Sequence, residues 1–117
     1  MDIQIVTHPI PLNLVEQIAS QQFGTMVKAT ADIQRGLMAL GGDLHADEEQ
    51  LLLEDGSKQK DLWGINLYPS RFKTAGFIEF DSMINLRPSQ GNRSRYVENE
   101  LIRKQISELV ASLVTNA

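Results

Sequence analysis

Alternation of apolar and polar residues with a period of two predicts β-strands in several parts of the chain. The segments concerned are Asp2 to Val6, the stretch that begins at Met26, Leu62 to Tyr68 and Phe77 to Arg87. A polar turn that contains Gly36 joins the second segment to Leu37 to Leu40. This arrangement predicts a β-hairpin, because glycine takes the positive φ that tight turns need. The residues from Ala31 to Leu40 are also compatible with a helix, and we expect the last two segments to pair antiparallel.

Apolar residues at steps of three and four predict three helices. The first runs from about Leu12 to Phe23, and a short one extends from Asp47, as N-cap, to near Gly56. The last helix carries a continuous apolar stripe of Ile102, Ile106, Leu109, Val110, Leu113 and Val114. Together these elements predict a single α+β domain over residues 1–117. We expect an antiparallel sheet of four or five strands whose apolar face packs against the first helix and the long C-terminal helix.

The composition excludes several classes of protein. The chain has no cysteine, which rules out a disulfide scaffold, thiolate catalysis, an iron–sulfur cluster and cysteine-based zinc sites. A net charge of −4 argues against general nucleic-acid binding, which needs many cationic contacts to phosphates. No apolar run approaches the roughly 20 residues that cross a bilayer, and the start of the chain lacks the pattern of a signal peptide. We therefore expect a soluble protein of the reducing cytoplasm, without a membrane partner.

The loop of residues 87–95 is a candidate anion site, because it holds three arginines and no acidic residue. Guanidinium groups form forked hydrogen bonds with phosphates and carboxylates, and short polar side chains add further donors. The predicted ligand-binding residues are Arg87, Asn92, Arg93, Ser94 and Arg95. The alternative is that the arginines pair with residues 43–61, which hold seven acids and two bases, or that they stabilise the loop itself.

A second candidate is a metal site at Asp43, His45 and Asp47. If this stretch is extended, the three side chains share one side, and carboxylates with one imidazole suit manganese, iron or zinc. The spacing is unspecific, and Asp47 has a competing role as the N-cap of the short helix.

A third candidate is the polar face of the two paired strands, formed by Asn66, Tyr68, Glu79, Asp81, Asn85 and Arg87. Glu79 and Asp81 are suited to acid–base work if burial separates their pKa values. The alternative is an ordinary solvated sheet face, which has such polar positions by default. Phe77 and Met83 interrupt the row, which indicates a contact surface for a second subunit.

Two segments of the chain resemble a family of small bacterial and archaeal proteins classed as a domain of unknown function. These segments are GGDLHADEEQLLLEDGSKQKDLWGINLYP and FDSMINLRPSQGNRSR. The resemblance covers nearly the whole chain, most clearly Met26 to Leu113. It implies a free-standing small protein without an assigned activity, and it transfers no role to any residue.

The first function hypothesis is a non-catalytic cytoplasmic binding protein, a homodimer that holds a phosphate- or carboxylate-bearing ligand at loop 87–95. One alternative is an enzyme of hydrolytic type that uses Glu79 and Asp81, with or without a metal, assisted by His45. Another is a pure protein–protein interaction module. The sequence identifies neither the ligand nor a cofactor.

Overall fold

A five-stranded antiparallel sheet with helices on both faces forms the centre of the computed structural model, which describes residues 2–116. The sheet strands are β1 (Gln4–Val6), β3 (Val27–Asp32), β4 (Leu37–Leu40), β5 (Leu62–Leu67) and β6 (Ile78–Glu79), in the order β1-β4-β3-β5-β6. Two further strands, β2 (Ile10–Pro11) and β7 (Val114–Thr115), form a separate parallel pair. The helices are α1 (Leu12–Gln21), α2 (His45–Glu54) and α3 (Glu100–Leu113). The predicted α+β class is confirmed.

The hairpin of β3 and β4 is formed as predicted, and the helical alternative for these residues is wrong. Gly36 closes the turn with a φ of +70°. The Asp32 carboxylate accepts hydrogen bonds from the backbone N–H groups of Gln34 and Arg35, both at 2.9 Å. A side chain that binds the backbone two and three residues later stabilises a turn against continuation of a helix.

The larger core lies between one face of the sheet and the helices α1 and α3. Its buried side chains include Val15 and Ile18 of α1, Ile106 and Val110 of α3, and Val27, Ala29, Met38, Leu40, Ile65 and Leu67 of the sheet. The packing of the first and last helices on the apolar face therefore follows the prediction. None of the helices within residues 2–116 has the length and apolar character needed to cross a bilayer.

The opposite face of the sheet is covered by α2, although alternation predicts a solvated polar face there. Leu52 packs against Leu37, Ala39 and Leu62 in a small second core. Thr30, Asp32 and Asn66 on this face are therefore buried and need partners within the protein, whereas Glu79 at the sheet edge is exposed.

Glu48 of α2 lies fully buried at the centre of this polar region. Its Oε1 accepts a hydrogen bond from Thr30 Oγ1, and its Oε2 accepts one from the Gly42 N–H, both at 3.0 Å. Burial raises the pKa of the Glu48 carboxyl well above its ordinary value, despite the opposing effects of these hydrogen bonds and of Lys28. The folded state therefore favours the protonated form of this carboxyl more strongly than the unfolded chain does.

The predicted strand Phe77 to Arg87 is wrong beyond Glu79. Only Ile78 and Glu79 pair with β5, and Met83–Asn85 form a 3-10 turn instead. This turn packs directly over Gly64 of β5, where a Cβ atom would lie 2.5 Å from the Ser82 Cβ. The absence of a side chain at Gly64 thus lets the chain leave the sheet edge and fold back across it.

We expect Glu48→Gln to make the folded state more stable at pH 8 and to reduce the pH dependence of its stability. Because the pKa of Glu48 is raised in the folded state, the unfolded chain ionises first as the pH rises, and stability falls between the ordinary pKa and the raised one. A glutamine amide donates to Thr30 and accepts from Gly42 without ionising. Urea denaturation at pH 5 and pH 8 measures the effect, with exposed Glu54→Gln as control. A loss of stability in Glu48→Gln at pH 8 would contradict the raised pKa of Glu48 in the folded state.

Candidate ligand-binding site

Two side chains of the segment after β6 satisfy backbone groups of β5 that have no strand beside them. The Asn85 Oδ1 accepts from the Gly64 N–H at 2.8 Å, and its Nδ2 donates to the Gly64 carbonyl at 2.9 Å. The Arg87 Nη2 donates to the Leu62 carbonyl at 2.7 Å. These bonds replace those that a longer β6 would have made, so that the sheet edge is closed by side chains.

Arg87 is therefore built into the fold and is only 8% exposed. In addition to Leu62, its guanidinium donates to the Gln59 carbonyl and stacks at 4.1 Å from the centre of the Trp63 ring. Burial lowers the pKa of the guanidinium, and the charge of Glu49 partly opposes this effect. Both Nη atoms hold the 3-10 turn Gln59–Asp61, which precedes β5, in place. The role of Arg87 in this loop is therefore to position other residues.

Asn92 likewise organises the loop from its interior. Its Nδ2 donates to the carbonyls of Asn85, Ser94 and Tyr96 at 2.7 to 3.0 Å. Its Oδ1 accepts from the Glu98 N–H at 3.0 Å. A single amide thus fixes the course of residues 85–98, which contain no regular strand or helix of more than three residues.

The remaining predicted ligand-binding residues, Arg93, Ser94 and Arg95, differ in the contacts that they make within the protein. The Ser94 hydroxyl donates to the Glu98 Oε2 at 2.6 Å. Arg95 pairs with Asp81 through two hydrogen bonds of 2.8 and 3.1 Å. The exposed Arg93 side chain makes no ion pair with any residue in the range 2–116. Among the three arginines, Arg93 is therefore the one whose guanidinium faces solvent without a carboxylate.

The loop forms one wall of a cleft of about 530 Å³. The other walls are the 3-10 turn before β5 and the start of α3. The lining residues are Lys60, Trp63, Gln90, Gly91, Asn92, Glu98, Asn99 and Ile102. The cleft therefore combines an ammonium group, a carboxylate, amide groups and apolar surface, which is the mixture found in sites for small polar ligands.

Two buried N–H groups next to this cleft have no acceptor among the residues that the structure describes. They are the indole Nε1 of Trp63 and the Nε of Arg87. Most buried donors in proteins are paired, so an unpaired one calls for an explanation, of which a functional role is one. Trp63 is 4% exposed and also packs in the larger core.

Sequence reasoning did not identify Lys60, Trp63, Glu98 and Asn99 as site residues. Asn99 carries a recognisable signal, since it precedes the last helix and its Oδ1 caps the N–H groups of Leu101 and Ile102. Lys60 and Glu98 are separated by 38 positions in the sequence, and no local pattern connects them.

The polar face forms a separate cluster around Glu79. The Glu79 Oε1 accepts from Asn66 Nδ2 at 2.8 Å and from the Tyr68 hydroxyl at 3.1 Å. Burial raises the pKa of Tyr68, and its hydrogen bond to Glu79 and the charge of that carboxylate add to the effect. Asp81 is engaged by Arg95, and neither Glu79 nor Asp81 lines the cleft beside loop 87–95. The predicted row of polar residues on this face does not include Asn85 and Arg87. These two residues lie beyond β6, and their side chains bind the backbone of β5.

The candidate metal ligands Asp43, His45 and Asp47 are not brought together. The stretch is not extended, because α2 begins at His45 with Leu44 as its N-cap, rather than at Asp47. His45 is buried and its Nε2 donates to the Ile65 carbonyl at 2.8 Å, whereas the other two are exposed. Burial lowers the pKa of this imidazole. The described part of the chain contains no group of three histidine, cysteine or acidic residues that could hold a metal ion.

Comparison with known proteins identifies a family but no activity. The model of a family described as "Protein of unknown function (DUF5674)" matches residues 4–113. No curated protein and no solved structure matches the chain. The predicted resemblance to a family of unknown function is thus confirmed, and the comparisons assign no activity to any residue.

We expect Arg87→Lys to destabilise the fold by about 2 kcal/mol, because a single ammonium cannot reach two carbonyls and stack on Trp63 at once. Arg93→Lys is the matched control, with an expected change below about 0.5 kcal/mol for an exposed side chain. Urea denaturation of both variants checks this. Equal stabilities would mean that the contacts of Arg87 contribute little to the fold.

Proposed function

We propose that this chain, which belongs to the DUF5674 family of proteins of unknown function, is a binding protein for a small ligand that carries a phosphate or a carboxylate. The ligand would bind in the cleft between loop 87–95, Lys60 and the start of α3. The observation that carries the proposal is this cleft, whose volume of about 530 Å³ lies within the range of about 300 to 1,000 Å³ of small-molecule sites.

Lys60 is the cation that lines the cleft, and Arg93 of loop 87–95 is the second cation that we assign to the ligand. The Lys60 side chain is 65% exposed and its bond to Asp61 is long, at 3.3 Å, so an anion competes readily with that pair. Arg93 follows Asn92, which lines the cleft. In this proposal Arg87 and Asn92 hold the walls in place, and Gly91, with a φ of +83°, lets the backbone turn beside the ligand.

A binding role of the cleft has more support than a hydrolytic role of Glu79 and Asp81. General acid–base catalysis needs a carboxylate within hydrogen-bonding reach of a bound substrate. Glu79 already accepts bonds from Asn66 and Tyr68, and Asp81 is paired with Arg95. Neither of these carboxylates lines the cleft.

We expect inorganic phosphate and acetate to raise the melting temperature in a saturable manner, since a ligand that binds only the folded state stabilises it. Lys60→Gln and Arg93→Gln should each weaken the binding about five- to tenfold, the effect of one lost charge-assisted hydrogen bond. Isothermal titration of the three proteins gives the dissociation constants.

Lys104→Gln is the matched control, because Lys104 is an exposed lysine of α3 that does not line the cleft. It should bind both anions like the unaltered protein. Equal losses in all three variants would indicate attraction by net charge alone, and an absence of saturable binding by the unaltered protein would exclude the proposal.

We also propose that the protein forms a homodimer. Met83 is 61% exposed on the turn that crosses β5. Phe77, the other residue predicted at such a contact, instead packs edge-on against Phe72 at 5.1 Å and is buried in the larger core. Of the two residues predicted at the contact, only Met83 is exposed and supports the proposed dimer.

Light scattering of the purified protein should give a mass near 26 kDa, twice that of the 13.1 kDa chain. Met83→Glu should shift the mass to that of a monomer, because a buried unpaired carboxylate opposes association. Leu101→Glu, at an exposed position of α3, is the control. A monomeric mass for the unaltered protein would refute the dimer.

A further inference from the structure

The cleft carries one fixed negative group as well as its cation. Lys60 and Glu98 both line it, and both are exposed to solvent. A purely anionic ligand that reaches Lys60 also enters the field of Glu98, which repels it. The cleft is thus electrostatically suited to a ligand that bears charges of both signs.

The Glu98 carboxylate is held in one orientation by only one of its oxygens. Its Oε2 accepts from the Ser94 hydroxyl at 2.6 Å and from the Arg93 N–H at 3.2 Å. Its Oε1 accepts no hydrogen bond from residues 2–116. An acceptor that is already oriented loses little entropy when it binds a donor, which is how preorganised sites gain affinity.

Apolar surface and neutral amides complete the lining. Trp63 and Ile102 supply the apolar part, and Gln90 and Asn99 contribute side-chain amides. The Asn99 Oδ1 is used to cap α3, and the Nδ2 of the same amide remains a donor for a carboxylate oxygen.

We infer that the ligand is a small amino carboxylate with an apolar side chain, whose carboxylate binds Lys60 and whose ammonium group binds Glu98. This inference rests on the proposed function of the cleft and narrows its ligand class. A free amino acid of moderate size carries one charge of each sign and an apolar group, which are the chemical features that the lining of the cleft offers.

Three ligands that share the isobutyl group separate the contributions of the two charges. Leucine has both charges, 4-methylpentanoate has only the carboxylate, and 3-methylbutylamine has only the ammonium group. Isothermal titration at pH 7 should show leucine binding about tenfold tighter than 4-methylpentanoate, with little binding of the amine. This ranking is obtained on the unaltered protein and does not depend on the folding of a variant.

Glu98→Gln tests the ammonium contact, since glutamine keeps an acceptor oxygen for Ser94 and Arg93. This variant should lose most of the tenfold preference for leucine and should bind 4-methylpentanoate at least as tightly as before. Glu108→Gln, at an exposed position of α3, should preserve the preference. Thermal melting of both variants checks that they are folded.

The outcomes distinguish this inference from the proposed function. If leucine and 4-methylpentanoate bind equally, and Lys60→Gln weakens both, the cleft binds carboxylates but the amino carboxylate class is wrong. Preference for leucine that survives Glu98→Gln would also overturn the inference. If neither leucine nor any simple anion binds, the proposed function fails as well.

Discussion

The fold depends on closing the side of β5 that β6 leaves unpaired. β6 covers only the last two residues of β5, and the backbone groups of Leu62 and Gly64 remain inside the protein. Buried carbonyl and N–H groups without partners cost about as much free energy as lost hydrogen bonds. Asn85 and Arg87 supply the partners, and the course of the chain from Ser82 to Glu98 follows from this requirement.

The need to pair the backbone groups of β5 explains why loop 87–95 by itself offers few groups to a ligand. The Nη atoms of Arg87 and the Nδ2 of Asn92 donate to backbone carbonyls inside the protein, so these donors are not available to a ligand. Their fixed positions nevertheless shape the cleft, because Arg87 holds the turn that carries Lys60 and Asn92 holds Glu98. The structural and the proposed binding roles of the motif are therefore carried by neighbouring residues.

On the second face of the sheet, buried polar groups likewise bind partners within the protein instead of water. Helix α2 covers polar positions that alternate in β3, and Thr30 and Glu48 satisfy each other there. His45 is held by the Ile65 carbonyl in the same way. Such networks fix one arrangement of α2, since each polar group would be unpaired in another register.

Periodicity predicted most of the sheet and the helices because these features depend on local burial. The strands β1, β3, β4 and β5, the hairpin turn at Gly36 and the stripe of α3 all follow from the spacing of apolar residues. The N-cap of α2 lies three residues earlier than predicted, at Leu44 instead of Asp47, and this small shift is enough to separate the candidate metal ligands. Side-chain direction changes by about 100° per residue in a helix, so a site prediction is more sensitive to boundaries than a fold prediction.

The sequence alone determined the fold class, the family and the position of the arginine-rich loop. The tertiary structure decided which of the polar side chains the fold uses and which face the cleft. That division follows from the range of the interactions. Apolar periodicity is read within ten residues, whereas the bonds of Asn85 to Gly64 and of Arg87 to Leu62 span 21 and 25 positions. Lys60 and Glu98 come to line one cleft for the same reason, because the cleft exists only once these long-range bonds have folded the loop against β5.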